Sequence, residues 1–139
     1  MSLVEKDYRL ELDSNPESVS EIEPFVEQIR DEVQIPDELY ANILVCLTEA
    51  VNNCIIHGNK FSPAKKVTVT CTKKDNVISF IAADEGDGFD YENLPDPTAP
   101  ENIEKATGRG VYLMRQLSDY LKYTNGGATV EMRFNIQLQ

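Results

Sequence analysis

The chain has 139 residues, and its 13 Lys and Arg against 24 Asp and Glu give a formal net charge of −11. That length fits one domain spanning residues 1–139, and a composition 41% hydrophobic and 8% aromatic suits a cored protein rather than a disordered acidic tail. So acidic a balance argues against binding nucleic acid directly or docking on an anionic membrane, since both select clustered Lys and Arg.

In chain order, Tyr8, Leu10 and Leu12 alternate with Arg9, Glu11 and Asp13, which predicts an opening strand with one buried face. Ser14-Asn15-Pro16 stops it. Val19, Ile22, Val26, Ile29 and Val33 then recur at helical spacing among six acidic residues, predicting an amphipathic surface helix over Val19–Val33. Pro36 or Asp37 opens a second helix, expected from Asp37 to His57 and stopped by Gly58. This helix is apolar nearly all round, with Asn42, Glu49 and Asn53 embedded among Val45, Cys46 and Ile56, so its polar residues should face a partner or a cleft.

Lys65–Thr72 and Asn76–Asp84 predict a hairpin joined by Lys73-Lys74-Asp75. Glu85–Thr107, with two glycines and three prolines, is long for a connection and suggests a functional lid. A third helix from about Gly110 to Leu117, a strand at Tyr120–Thr124, a turn at Gly126-Gly127 and a last strand at Thr129–Gln137 complete the chain. The expected class is α/β (α+β), with mainly antiparallel strands on one side and helices on the other.

Cys46, Cys54 and Cys71, with His57 as the single histidine, make a zinc site a poor reading and predict reduced, mostly buried thiols in a cytoplasmic protein. The N-terminus lacks a signal-peptide pattern, and the longest apolar run, Ile78–Ala83, is too short to span a bilayer. The charge is uneven: residues 1–58 hold 13 acids and 3 bases, whereas residues 59–139 hold 11 and 10.

Four of the seven glycines form two G-x-G pairs, Gly86-Asp87-Gly88 after a strand and Gly108-Arg109-Gly110 before a helix. Glycine lets backbone pass close to a ligand, and a helix N-terminus offers free N–H groups to phosphate. Neither pair is a P-loop or a Rossmann fingerprint, and the first fails as an EF-hand because glycines stand where ligands should. Glu49 and Asn53, at i and i+4, project a carboxylate and an amide oxygen together. The amide could ligate Mg²⁺, and the carboxylate could take or orient a proton.

Thr48-Glu49-Ala50-Val51-Asn52-Asn53 with His57-Gly58, then Asp84-Glu85-Gly86-Asp87-Gly88, then Gly108-Arg109-Gly110-Val111-Tyr112-Leu113-Met114, resembles the three ordered nucleotide-binding boxes of the Bergerat-fold ATPases. The resemblance covers nearly the whole chain and is strongest to the small anti-sigma-factor serine/threonine kinases. It implies a two-layer sandwich, with a mixed, mainly antiparallel sheet covered on one face by helices. It further implies ATP and Mg²⁺ as cofactors. Asp84 would accept from the adenine amine, with Gly86 and Gly88 beside the base and Thr129 near the adenine pocket. Asn53 would be the metal ligand, Glu49 the catalytic base or orienter, and Gly108, Arg109 and Gly110 the phosphate lining. Asp90–Thr107 would be the ATP lid. The implied partners are a STAS-type anti-anti-sigma protein as phosphoacceptor and a sigma factor to be sequestered, and homodimers are common in the family. Two alternatives stand beside this: a nucleotide-dependent regulatory binding module without significant kinase activity, and an acidic interaction domain that binds no nucleotide.

Overall fold

A computed structural model describes residues 6–88, 92 and 106–136. Strand β1 (Lys6–Asp13) leads through a 3₁₀ turn (Pro16–Glu21) into helix α1 (Ile22–Glu32), and helix α2 (Asp37–Asn53) follows. A π-helical turn, Cys54–Gly58, ends α2. Next come β2 (Lys66–Lys74), β3 (Val77–Ala83), α3 (Ala106–Leu117), β4 (Tyr120–Thr124) and β5 (Thr129–Asn135). The sheet order is β1-β2-β3-β5-β4, and every described pairing is antiparallel, so the expected mainly antiparallel sheet has no parallel pair among the described strands.

Period-two alternation divides the sheet into two faces. Val67, Val69 and Cys71 of β2, Ile78, Phe80 and Ala82 of β3, and Val130, Met132 and Phe134 of β5 are all buried. Thr68, Thr70, Ser79 and Arg133 point the other way and are partly or fully exposed. The helices cover the apolar face, where Ile43, Leu47, Val51 and Ile55 of α2 and its terminal turn are fully buried. Phe80 and Phe134 meet edge to face at 6.2 Å between ring centroids, across the β3–β5 pairing that forms the middle of the core. Helix α2 also packs against α1 and α3, so the near all-round apolar sequence is matched by neighbours on three sides. Arg30 of α1 pairs with Asp37 and lies over the Tyr40 ring, while the Tyr40 hydroxyl donates to Glu27 at 2.7 Å, pinning α1 to the start of α2.

Three boundaries differ from the sequence expectation for identifiable reasons. The first helix begins at Ile22 rather than Val19, because Pro24 has no N–H and fits only within a first turn. The preceding residues form a 3₁₀ turn instead, started by the Asn15 side chain accepting from the Glu17 N–H at 2.8 Å. The β2–β3 turn is Asp75-Asn76 alone, with Asp75 at φ 55°, a conformation Asp tolerates. The third helix starts at Ala106, so Gly108 and Arg109 lie within its opening turn rather than before it. Asp37–Gly58, not Ile78–Ala83, is the segment long and apolar enough by composition to cross a membrane, at 22 residues. Here it is the central helix of the core.

Truncating Phe134 to Ala should cost about 3–5 kcal/mol in urea unfolding, whereas Thr70→Ala on the open face should stay within about 0.5 kcal/mol. Similar losses for the two variants would contradict this division of the sheet faces.

Candidate functional site

Residues far apart in sequence meet where α2 ends. A Cβ built on Gly58 would lie 2.1 Å from Asp84 Oδ2, and one built on Gly86 would lie 1.8 Å from the Gly58 carbonyl oxygen. The loop leaving β3 therefore crosses the π turn at backbone contact distance, which only glycine permits. A Cβ on Gly110 would lie 2.6 Å from Glu49 Oε2, so α3 presses its glycine against the carboxylate of α2. Glu49, Asp84, Gly86 and Gly110 thus line one connected region around the C-terminal half of α2.

The terminal turn follows from the same crossing. The Asn59 N–H donates to the Cys54 carbonyl at 2.8 Å, a five-residue spacing that widens the helix just before the loop passes over it. Gly88 has φ 76°, and a Cβ there would meet the Gly126 carbonyl oxygen at 2.3 Å, so the same loop also packs on the β4–β5 turn. Thr129 pairs with Ala83 across the sheet, and the Asp84 N–H donates to the Ala128 carbonyl at 2.8 Å. Those bonds set Thr129 beside the strand end that bears Asp84. The Thr129 hydroxyl accepts from the Asn125 side chain at 3.1 Å.

Both carboxylates are half-buried. Burial raises the Glu49 pKa, and the Arg109 charge opposes the rise. Burial also raises that of Asp84, against the Gly86 N–H donating to Oδ1 at 2.9 Å, the Cys54 thiol and the Lys65 charge. Arg109, expected to line the phosphates, lies close enough for its charge to bear on Glu49. Asn53, one turn beyond Glu49, is 7% exposed, and its amide nitrogen makes no hydrogen bond of ordinary geometry. It nonetheless bears on the Tyr123 hydroxyl, opposing the rise in pKa that burial imposes on that tyrosine. A buried amide with an unsatisfied end beside a carboxylate is a chemically suitable donor for Mg²⁺, since the two ends of a side-chain amide exchange by a simple flip. At Gly58, Gly86 and Gly88 the space a Cβ would take is already filled by Asp84 or by neighbouring backbone, so these glycines let the loop pack closely and present Asp84 beside bare main chain. The residues therefore fit a Mg²⁺–nucleotide. The expected lid, Asp90–Thr107, falls outside the described residues except for Glu92 and the start of α3.

Two residues of this region escape the sequence reading. Cys54 read only as a buried thiol, yet it donates to Asp84. Asn59, directly after the helix stop, read as an ordinary turn residue. It is buried, and its side chain bonds to Ser14, to the Lys66 carbonyl and to the Glu85 N–H. An Asn immediately following H-G at the end of an apolar helix was the available signal.

Residues 12–134 match the family model described as the histidine kinase-like ATPase domain. The chain belongs to that family, among the anti-sigma-factor serine kinases. It is similar to the anti-sigma F factor of Geobacillus kaustophilus, 34% identical over 107 residues, covering 72% of this chain and 71% of the relative. It is also similar to the serine-protein kinase RsbW of Bacillus subtilis, 28% identical over 98 residues and 66% of this chain. That alignment spans 61% of the relative's length. The crystal structure of the RsbU and RsbW domains of Rv1364c from Mycobacterium tuberculosis superposes with a TM-score of 0.68 at 14% identity, covering 96% of this chain and 33% of that one. At that identity the likeness concerns the fold.

All three cysteines are buried and free. Burial pushes the Cys46 and Cys71 thiols up to about 12 from an ordinary 9.0. A thiol raised in the folded state ionises first in the unfolded chain, so its contribution to stability is complete below about pH 9 and is lost as pH rises towards 12. The urea midpoint should accordingly fall between pH 8 and pH 11, and native thiols should resist a disulfide reagent at pH 8 until the chain unfolds. Equal reactivity of native and unfolded chain would contradict the burial.

Proposed function

We propose that the chain binds ATP with Mg²⁺ at this site and transfers the γ-phosphoryl group to a Ser or Thr hydroxyl of a STAS-type anti-anti-sigma protein. In the same reading it sequesters a sigma factor when unphosphorylated partner is scarce, and works in the cytoplasm, with homodimerisation as in its family. The observation that supports this most is the contact of Gly110 with Glu49, alongside that of Gly58 and Gly86 with Asp84. On this reading the helix start for phosphate, the base and the adenine acceptor surround one helix.

Each role follows from local chemistry. Asp84, held from one side by the Gly86 N–H, accepts from the adenine exocyclic amine, a contact that guanine cannot make. Gly86 and Gly88 let the base lie against backbone, and Thr129 borders the adenine pocket from β5. Asn53 supplies an oxygen to the cation. Bound Mg²⁺ would partly neutralise the phosphate charge. Gly108, Arg109 and Gly110, near the start of α3, line the phosphates, with the positive dipole end of the helix and the Arg109 guanidinium toward them.

In transfer, the acceptor hydroxyl oxygen bonds to the γ-phosphorus as the bond to the β-phosphate oxygen breaks, and ADP leaves. Glu49 takes or orients the hydroxyl proton. Its half-burial, which raises its pKa, brings it closer to the value that suits a general base.

Replacing Glu49 by Gln should keep ATP affinity within about threefold while cutting phosphoryl transfer by about 10²-fold or more. The check is transfer of labelled phosphate to a STAS-domain partner, with calorimetry of ATP binding alongside. Undiminished transfer removes Glu49 from the mechanism. Binding with no transfer by the unaltered chain would instead favour the nucleotide-dependent binding module.

A further inference from the structure

The Asp84 carboxylate rests on a buried polar frame that the chemistry above does not itself use. Asn59 is 2% exposed, and its amide donates two hydrogen bonds and accepts one. Nδ2 donates to Ser14 Oγ at 2.8 Å and to the Lys66 carbonyl at 3.0 Å, while Oδ1 accepts from the Glu85 N–H at 2.8 Å. Ser14, 3% exposed, donates onward to the Lys65 carbonyl at 2.5 Å. The Glu85 carboxylate in turn accepts from the Lys66 N–H. One side chain therefore ties the end of β1 and the start of β2 to the residue that follows Asp84.

The position of Asn59 in the chain matters as much as its bonds. Its neighbour Gly58 is the wall against which Asp84 Oδ2 leans, the space a Cβ would fill at 2.1 Å. Its partner Glu85 precedes Gly86, whose N–H holds the other carboxylate oxygen at 2.9 Å. The Asn59 amide thus anchors the loop on the Gly86 side of the carboxylate, and its own backbone continues from the glycine on the other side. The pattern requires two donors and one acceptor on a short side chain, and a primary amide supplies that set where a carboxylate or a hydroxyl does not.

We propose that Asn59 is a positioning residue for base recognition, fixing the rotation of the Asp84 carboxylate so that the site selects an adenine amine over a guanine carbonyl. The inference rests on the reading of Asp84 as the adenine acceptor. A hydrogen bond to a neutral amine is directional, so a carboxylate free to turn forfeits affinity and, more sharply, discrimination. A merely structural asparagine would lower the melting temperature without changing which base is preferred.

The test compares unaltered protein with Asn59→Ala, Ser14→Ala, Asp84→Asn and the Asn59→Ala/Asp84→Asn pair. Each is titrated with Mg-ATP and Mg-GTP by calorimetry, with thermal melts run in parallel. Asn59→Ala should weaken ATP binding about tenfold and lower the ATP-to-GTP affinity ratio, the scale of one hydrogen bond. In the Asp84→Asn background the same change should cost about twofold or less, because interacting residues are not additive. Ser14→Ala, which removes one Asn59 partner and keeps the fold even if Asn59→Ala does not, should lower the ratio about two- to threefold. An unchanged ratio in whichever of these variants folds, or equal losses with and without Asp84, overturns the positioning role. Failure of the unaltered chain to bind ATP at all is a separate result, and it overturns the nucleotide reading and this inference together.

Discussion

Between the end of α2 and the loop leaving β3 there is no room for a side chain, and the rest of the site follows from that crossing. Gly58 and Gly86 meet at backbone distance, which sets the Asp84 carboxylate directly over the helix end. The last turn of α2 widens to a π turn to receive the loop, and the N–H groups of Asn59 and Phe61 just beyond it donate to the Cys54 and Ile55 carbonyls. Asn59, the next residue, fills the polar space beneath with bonds to three segments. Any Cβ at either glycine would push the loop leaving β3 away from the helix that bears Glu49 and Asn53. Energetically, the crossing is stabilised by the apolar face on either side of it, since Ile55 below and Ala82 beside it are fully buried.

The sequence made the layers legible because two periodicities run cleanly through it. Alternation in β2, β3 and β5 and the 3.6-residue stripe of α2 appear in the structure as the buried residues of one core. The three boxes were legible by type and order, since glycine pairs beside strand and helix ends are needed only where backbones or ligands come close. What remained hidden depended on tertiary contact. Pro24 could have placed the true start of α1, because its missing N–H forbids an interior position, but the apolar spacing extended past it to Val19. The role of Asn59 is set by Ser14 and Glu85, one 45 residues before it and the other 26 after, and no local pattern encodes that meeting. Likewise Cys54 reads as one more apolar position until Asp84 is brought against it.

The acidity of the chain has a definite place in this architecture. Glu17, Glu21, Glu23, Glu27 and Asp31 are all exposed around α1 and the turn before it. The carboxylates of the site, by contrast, are half-buried in the near-neutral half of the chain or on the α2 face turned toward it. Burial raises both, and Arg109 and Lys65 offset that rise. On the proposed reading, a polyanionic ligand would meet a helix dipole end and a guanidinium rather than the net charge of −11. The acidic surface is left to shape encounters with other proteins, for which a basic partner is the electrostatically favoured kind.

The central claim is that the crossing at Gly58 and Gly86 forms an adenine site whose phosphate end depends on a cation at Asn53. It is tested most directly by calorimetric titration of the unaltered chain with ATP and with GTP, each in the presence of Mg²⁺ and of a chelator. The account predicts saturable binding of ATP that weakens by about tenfold or more when Mg²⁺ is removed, with GTP bound far more weakly under both conditions. Equal affinity for the two nucleotides, or ATP binding indifferent to Mg²⁺, would contradict it.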